Sequence, residues 1–318
     1  MRHTLEETLH NTGIMVIDGA MSTALEALGC NLADSLWSAK ILAEAPEKIK
    51  QVHSDYFKAG ADCGITASYQ ATIPGFMAKG ATREEAEGLI RRAVELFKEA
   101  RGEWWEEEGL ESGRTYPLCL GAVGPYGAYL ADGSEYRGHY GITRDELEAF
   151  HRPRVEILWD AGADLILFET CPSLEEAKVE AGIAEGMGIP YWISFSCQDG
   201  GHTCEGTPIE ECMKEFEQRD KYPNLQMVGV NCTHPQYITE LIRRMKSIIS
   251  LPVAVYPNSG EIYDPVTKTW HGDFVSGRYE QWALEWMEAG ASAVGGCCRT
   301  VAKHIEEVSH AREKFLNR

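Results

Sequence analysis

Ala161-Gly162-Ala163-Asp164-Leu165-Ile166-Leu167-Phe168-Glu169 sets the architecture of this chain. An amphipathic helical stretch runs out at the alanine, and the glycine supplies the left-handed conformation that stops a helix. An uninterrupted apolar run then suits a strand buried on both faces. The same punctuation returns as Ala59-Gly60-Ala61-Asp62 and Ala289-Gly290-Ala291-Ser292, each between a helical pattern and a β-rich run. These tetrapeptides are helix-to-strand joints of an alternating α/β chain, and they are turn chemistry rather than a solenoid repeat.

Working outward from the joints, strands are expected over residues 15–18, 63–67, 118–123, 165–169, 191–196, 227–231, 253–256 and 293–296. Apolar residues at helical spacing predict helices over 47–59, 83–107, 144–161, 174–186, 209–218, 236–249, 279–289 and 302–315. Eight strand-then-helix units predict a parallel (β/α)8 barrel, a TIM barrel, with its active site at the C-terminal ends of the strands. The 318 residues are expected to form one barrel domain over 1–318. Two segments, 124–140 and 257–277, are too long for plain connectors, and long loops in compact domains are usually functional.

The formal charge of −19 opposes binding to a nucleic-acid backbone or to an anionic membrane surface, and mildly favours a cationic small molecule. No apolar run of about 18 residues is present, so no membrane span is expected. Met1-Arg2-His3-Thr4-Leu5-Glu6-Glu7 does not read as a secretory signal. With ten cysteines in no disulfide-like pattern, the expected compartment is the reducing cytosol.

Three of those cysteines stand apart. Val228-Gly229-Val230-Asn231-Cys232 reads as a strand ending in a thiol, and Gly295-Gly296-Cys297-Cys298-Arg299-Thr300 follows the last strand with a vicinal pair. Any single cysteine is most simply a small buried hydrophobe. Three thiolates from two strand ends, however, suit a zinc site whose fourth tetrahedral position stays open. A zinc ion with three thiolates carries a formal charge of about −1 and is a poor generator of hydroxide. It would instead take up a substrate thiol, with a solution pKa near 8.5, as its anion. The chemistry suggested is alkylation of sulfur by a cationic donor. A zinc hydrolase would call for histidine and carboxylate ligands, and a purely structural zinc would need a fourth ligand, for which Cys171 is the available thiol.

Asp18-Gly19-Ala20, Gly229-Val230-Asn231-Cys232 and Gly295-Gly296-Cys297-Cys298-Arg299-Thr300 resemble the motifs of the zinc-dependent homocysteine S-methyltransferases, and the resemblance spans essentially the whole chain. Ala33-Asp34-Ser35-Leu36-Trp37-Ser38, the run from Val123-Gly124-Pro125-Tyr126 through Gly133-Ser134-Glu135-Tyr136, and Tyr256-Pro257-Asn258-Ser259-Gly260-Glu261 are similar to the branch that uses S-methylmethionine or S-adenosylmethionine. They are less similar to the betaine-using branch. The resemblance implies that Cys232, Cys297 and Cys298 bind zinc and that methionine is the product. It also implies that Asp18 and Glu169 hold the amino acid part of homocysteine. No catalytic side chain beyond the zinc site is expected, and a selenium-containing acceptor is the nearest alternative.

Each candidate also has a plainer reading. Asp18 in Asp-Gly suits a turn, and Glu169 suits an ion pair. Thr66 and Asn231 are candidates for orienting substrate or cysteines, or for satisfying backbone groups. Trp37, Tyr69, Tyr126, Tyr129 and Trp270 offer aromatic faces to a sulfonium, or simply packing. His271 reads as a solvated loop residue.

Overall fold

Gly60, Gly162 and Gly290 have φ of 110°, 99° and 111°, so each joint turns through the region that a side chain disfavours. The next residue but one does a second job in two of the joints. Asp62 accepts the Val16 N–H at 2.8 Å and Asp164 accepts the Cys119 N–H at 2.9 Å, each stitching the start of one strand to its neighbour. Arg312 closes on Asp62 at 2.5 Å and Arg101 on Asp164 at 2.6 Å, so these buried carboxylates are neutralised by arginine.

This computed structural model describes residues 2–32, 36–260, 262–264, 269–271 and 278–318, with backbone alone for residues 37, 262–264 and 269–271. The strands are β1 Met15–Val16, β2 Cys63–Ile65, β3 Leu118–Val123, β4 Leu165–Cys171, β5 Tyr191–Phe195, β6 Leu225–Asn231, β7 Val253–Tyr256, β8 Ile262–Asp264, β9 Thr269–His271 and β10 Ala293–Val294. Eight of them form one sheet in the order β1-β10-β7-β6-β5-β4-β3-β2. The pairings within it are parallel, and an Ile17–Cys63 bridge joins β1 to β2, closing the ring. The expected barrel is therefore the observed one. β8 and β9 form a separate antiparallel hairpin within the long segment after β7.

The two-residue period of each strand sorts its side chains. Met15, Ile17, Cys63, Leu118, Leu120, Leu165, Leu167, Trp192, Met227, Ala254 and Ala293 fill the barrel interior. Val16, Cys119, Ile166, Phe168, Ile193, Val228, Val255 and Val294 face outward into the layer of helices. Gly229 makes room for this packing, because a Cβ there would lie 2.7 Å from the Ala254 carbonyl oxygen and 3.1 Å from Trp192 Nε1.

Among the helices, Arg83–Glu107 and Tyr279–Ala289 have the expected bounds, Pro46–Lys58 is shifted by one residue at both ends, and Arg144–Asp160, Leu174–Met187 and Ala302–Leu316 differ by a residue at one end. An additional helix, Leu5–Thr12, begins at a Thr4/Glu7 capping box. It packs Leu5 and Leu9 against the interior cluster, while the Arg2 guanidinium donates to Ala163 O at 3.0 Å. This helix plugs the bottom of the barrel, so the opposite, C-terminal mouth is the one left for ligands. No described helix is long and apolar enough to cross a membrane.

Candidate active site at the barrel mouth

β6 and the turn after β10 bring the three singled-out cysteines together. Cys232 Sγ lies 2.6 Å from Cys297 Sγ and 3.7 Å from Cys298 Sγ, and the three sulfurs fall within 4.8 Å of one another. Two thiolates at about 2.3 Å from a tetrahedral zinc stand about 3.8 Å apart. The Cys232–Cys298 spacing matches that figure, and Cys232–Cys297 would have to open by about 1 Å.

The local sequence explains the convergence. Gly295 and Gly296 are needed for close approach, since a Cβ on Gly295 would meet Ile17 Cβ at 2.5 Å and one on Gly296 would meet Thr300 Oγ1 at 2.4 Å. The turn is tied on several sides. Gly296 N donates to Asp18 O at 3.1 Å, Cys297 N to Pro257 O at 2.7 Å, and Thr300 Oγ1 to Cys297 O at 2.7 Å. Non-glycine residues at positive φ cluster here, with Thr170 at 62°, Cys232 at 47° and Arg299 at 68°, as expected where a scaffold holds functional groups under strain.

Charge on the sulfurs is unequal. Thiols of Cys297 and Cys298 hydrogen-bond to Cys232 and hold its pKa well below the ordinary thiol value, while the bonds of Cys297 to Cys232 and to Cys298, and then burial, push Cys297 upward. One thiolate thus forms readily and the next is opposed by it. A divalent cation would remove that opposition, and no lysine, arginine or histidine is among the described residues lining the adjoining cavity. The donor set therefore fits a thiophilic metal ion. Cys171 does not join it as a fourth ligand: its thiol donates to Glu180 Oε2 at 3.1 Å, within the outer layer between sheet and helices.

Glu169, Thr66 and Tyr69 line the cavity, which encloses about 120 Å³ beside the cysteines. Glu169 ends the apolar run of β4 with its carboxyl held protonated well above the usual range by burial, and further by the neighbouring Cys232 and Asp18. Asp18 lies just beneath, next to the lining residue Gly19. Its Oδ2 accepts the Ile65 N–H at 2.9 Å, whereas Oδ1 is buried with no hydrogen-bond partner among the described residues. Burial raises its pKa as well. Two carboxyl groups that are costly to ionise in the empty pocket become good acceptors once a cation arrives.

The other expected residues take different places. Thr66 Oγ1 accepts the Ala122 N–H at 3.0 Å and bonds Ser68 Oγ at 2.8 Å, bracing the end of β2 on β3. Asn231 clamps Thr170, its Oδ1 accepting the Thr170 N–H and its Nδ2 donating to Thr170 Oγ1, both at 2.8 Å. Whatever Asn231 orients, it orients through Thr170 and hence Glu169. Tyr126 and Tyr129, expected as candidates for facing the donor, are not among the residues lining this cavity. Tyr126 packs edge-on against Phe150 at 4.9 Å, and Tyr129 borders a neighbouring hollow with Leu130 and Gly75. The side chains of Trp37, Trp270 and His271 lie outside the described residues, as do Glu261 and residues 33–35.

In place of those rings the cavity is lined by Glu135 and Tyr136, which sequence reasoning did not single out. Their loop folds back because Gly127 packs against it, where a Cβ would sit 2.4 Å from Glu135 N. Behind it, Arg154 donates to Tyr69 O at 3.1 Å and Gly124 O at 2.6 Å, while Glu176 Oε1 accepts the Tyr126 N–H at 2.6 Å and bonds His151 Nε2 at 2.9 Å. This buried network fixes the floor of the loop. The length and tyrosine content of 124–140 signalled its importance, but not which side chains turn inward.

The homocysteine S-methyltransferase family model matches residues 15–312. A Bacillus subtilis protein named homocysteine S-methyltransferase YbgG is 50% identical over 306 residues, covering 96% of each chain. A selenocysteine methyltransferase of Astragalus bisulcatus is 44% identical over 326 residues, covering 96% of this chain and 94% of its own. The metallated form of the homocysteine methyltransferase MmuM from Escherichia coli superposes with a TM-score of 0.85 at 41% identity, over 96% of this chain and 99% of that one.

Proposed function

The chain belongs to the homocysteine S-methyltransferase family and is a methyltransferase, and from that premise we propose that it transfers a methyl group from a sulfonium donor to the thiolate of L-homocysteine, giving methionine. S-methylmethionine is the preferred donor in this reading and S-adenosylmethionine a possible one. Residues 1–318 act as one homocysteine-binding barrel domain. The observation that carries the reading is the convergence of three thiols from two strand ends beside a pocket lined by Glu169 and, among the described residues, by no cationic side chain.

Cys232, Cys297 and Cys298 would hold a zinc ion, which supplies a site where the acceptor thiol is bound as its anion. Glu169 and the unpartnered Oδ1 of Asp18 accept hydrogen bonds from the homocysteine ammonium, taking on negative charge as they do so. Asn231 holds Thr170, and through it Glu169, at the pocket edge. The walls align the thiolate with the donor methyl for in-line displacement, so the methyl group passes directly between sulfurs and no methylated enzyme forms. An acceptor carrying selenium is supported as a second reading by the selenocysteine methyltransferase relative.

The test supplies homocysteine with S-methylmethionine, S-adenosylmethionine or betaine separately and measures methionine, alongside zinc content of the wild type and Cys298→Ser. Methionine from the sulfoniums, lost together with zinc in the variant, is expected. Zinc loss with methionine formation intact would refute the role given to the cysteines.

A further inference from the structure

Buried carboxylates in this protein divide into two groups. Away from the pocket each has a basic partner: Asp62 has Arg312, Asp164 has Arg101, and Glu176 and Glu180 lie against His151; burial and the neighbouring Glu176 hold the Glu180 carboxyl well above the usual range, against the positive charge of Arg154. At the pocket, Asp18, Glu169 and Glu135 make no ion pair within 4.0 Å among the described residues, although all three are at least nine-tenths buried. Asp18 and Glu169 have a substrate role in the proposed function. Glu135 has none.

Glu135 is 7% exposed, yet its Oε2 has no hydrogen-bond partner among the described residues. It lies in the short turn Ser134–Tyr136, which is pinned from three directions. Ser134 N donates to Asp132 Oδ1 at 2.9 Å, Ser196 Oγ donates to Glu135 O at 3.3 Å, and His139 N donates to Glu205 Oε1 at 2.8 Å. The nearest basic side chain, Arg137, is turned to solvent beside Asp132. The loop therefore holds a carboxyl in a pocket wall whose lining includes Tyr69 and Tyr136, with no ion pair within 4.0 Å among the described residues and only the outlying charge of Arg137 acting on it.

We propose that the Glu135 carboxylate is the counter-ion of the positively charged methyl donor and selects for sulfonium amino acids over neutral or anionic methyl carriers. The assignment rests on the reading of this pocket as a sulfonium-to-thiol methyltransferase site. Leaving such a group unpaired in the free protein is costly, and burial, with the Cys232 charge adding to it, lifts its pKa to about 7. A cationic ligand supplies what the wall lacks. Tyr69 and Tyr136 line the same cavity and supply aromatic surface of the kind that alkylated cations favour.

The test is calorimetric binding to the zinc-loaded full chain, comparing wild type with Glu135→Gln and Glu135→Asp. Three probes are used: S-methylmethionine, its analogue without the α-amino group (4-dimethylsulfoniobutanoate), and homocysteine. Glu135→Gln should weaken S-methylmethionine by about 10- to 100-fold, the worth of a charge-assisted contact. Glu135→Asp should recover part of this, while homocysteine affinity and zinc content stay within about threefold of wild type, the scale of a fraction of one such contact. If the analogue weakens equally, the carboxylate faces the sulfonium and the proposal stands; if the analogue is unaffected, it faces the ammonium, and selection for a sulfonium is overturned. Unchanged S-methylmethionine affinity, or a loss confined to homocysteine, overturns it. Wild-type protein that binds the sulfonium but forms no methionine would sink the proposed function and leave Glu135 as a cation site. Failure of the wild type to bind either sulfonium would sink both.

Discussion

Replacing Asn231 with alanine tests how the pocket edge is held. The side chain is wholly buried and makes two hydrogen bonds of 2.8 Å to Thr170, one to its N–H and one to its hydroxyl. Truncation leaves the Thr170 N–H buried without an acceptor, at about 1–3 kcal/mol, and forfeits the second bond, worth about 1 kcal/mol. The expected loss is therefore about 2–4 kcal/mol, read as a lower urea midpoint. Function should suffer in a specific way. Thr170 holds a φ of 62° immediately after Glu169, and such a conformation persists only while its surroundings enforce it. Once released, Thr170 relaxes and carries Glu169 with it, so the KM for homocysteine should rise about tenfold, equivalent to about 1.4 kcal/mol. A variant that loses less than 1 kcal/mol and keeps its homocysteine KM would show that β4 alone fixes Glu169, and the clamp argument would be wrong.

Three further outcomes are expected. Gly295→Ala pushes a methyl to 2.5 Å from Ile17 Cβ and 2.8 Å from its carbonyl, so zinc affinity and thermal stability should both fall, measurable by metal competition and melting. Arg154→Met removes the cation beside Glu176 and Glu180 and should cost about 3–5 kcal/mol, with partial recovery in the triple variant that also carries Glu176→Gln and Glu180→Gln. His53 is buried with both ring nitrogens unpartnered among the described residues, and burial depresses its pKa from 6.5 to about 3. The unfolded chain binds the extra proton first, so this group's contribution to stability falls as pH drops below 6.5 and stops falling near 3. Between pH 7 and 5 the loss amounts to about 2 kcal/mol. His53→Leu should flatten that part of the urea-midpoint profile, and an unchanged slope would mean other groups govern it.

The barrel was legible because its signals are local. Strand and helix bounds at 118–123, 253–256, 83–107 and 279–289 follow from apolar period and from glycines that must turn left-handed. The helix Leu5–Thr12 carries an equally local signal, Thr4 and Glu7 three residues apart as a capping box. The three cysteines could be assembled because strand ends share one rim, and topology alone brings β6 next to β7 and β7 next to β10. Glu135 could not be found this way. Its direction depends on a loop folding back on Gly127 and on Ser196 just after β5, contacts that no period encodes. Tyr126 and Tyr129 meet the same limit: an aromatic in a functional loop is as useful for holding the loop against Phe150 as for meeting a ligand, and sequence does not separate the two. Net charge was a weak guide too. The value of −19 describes the whole surface, whereas ligand charge is set by which buried acids the protein leaves without an arginine, and that is a property of packing.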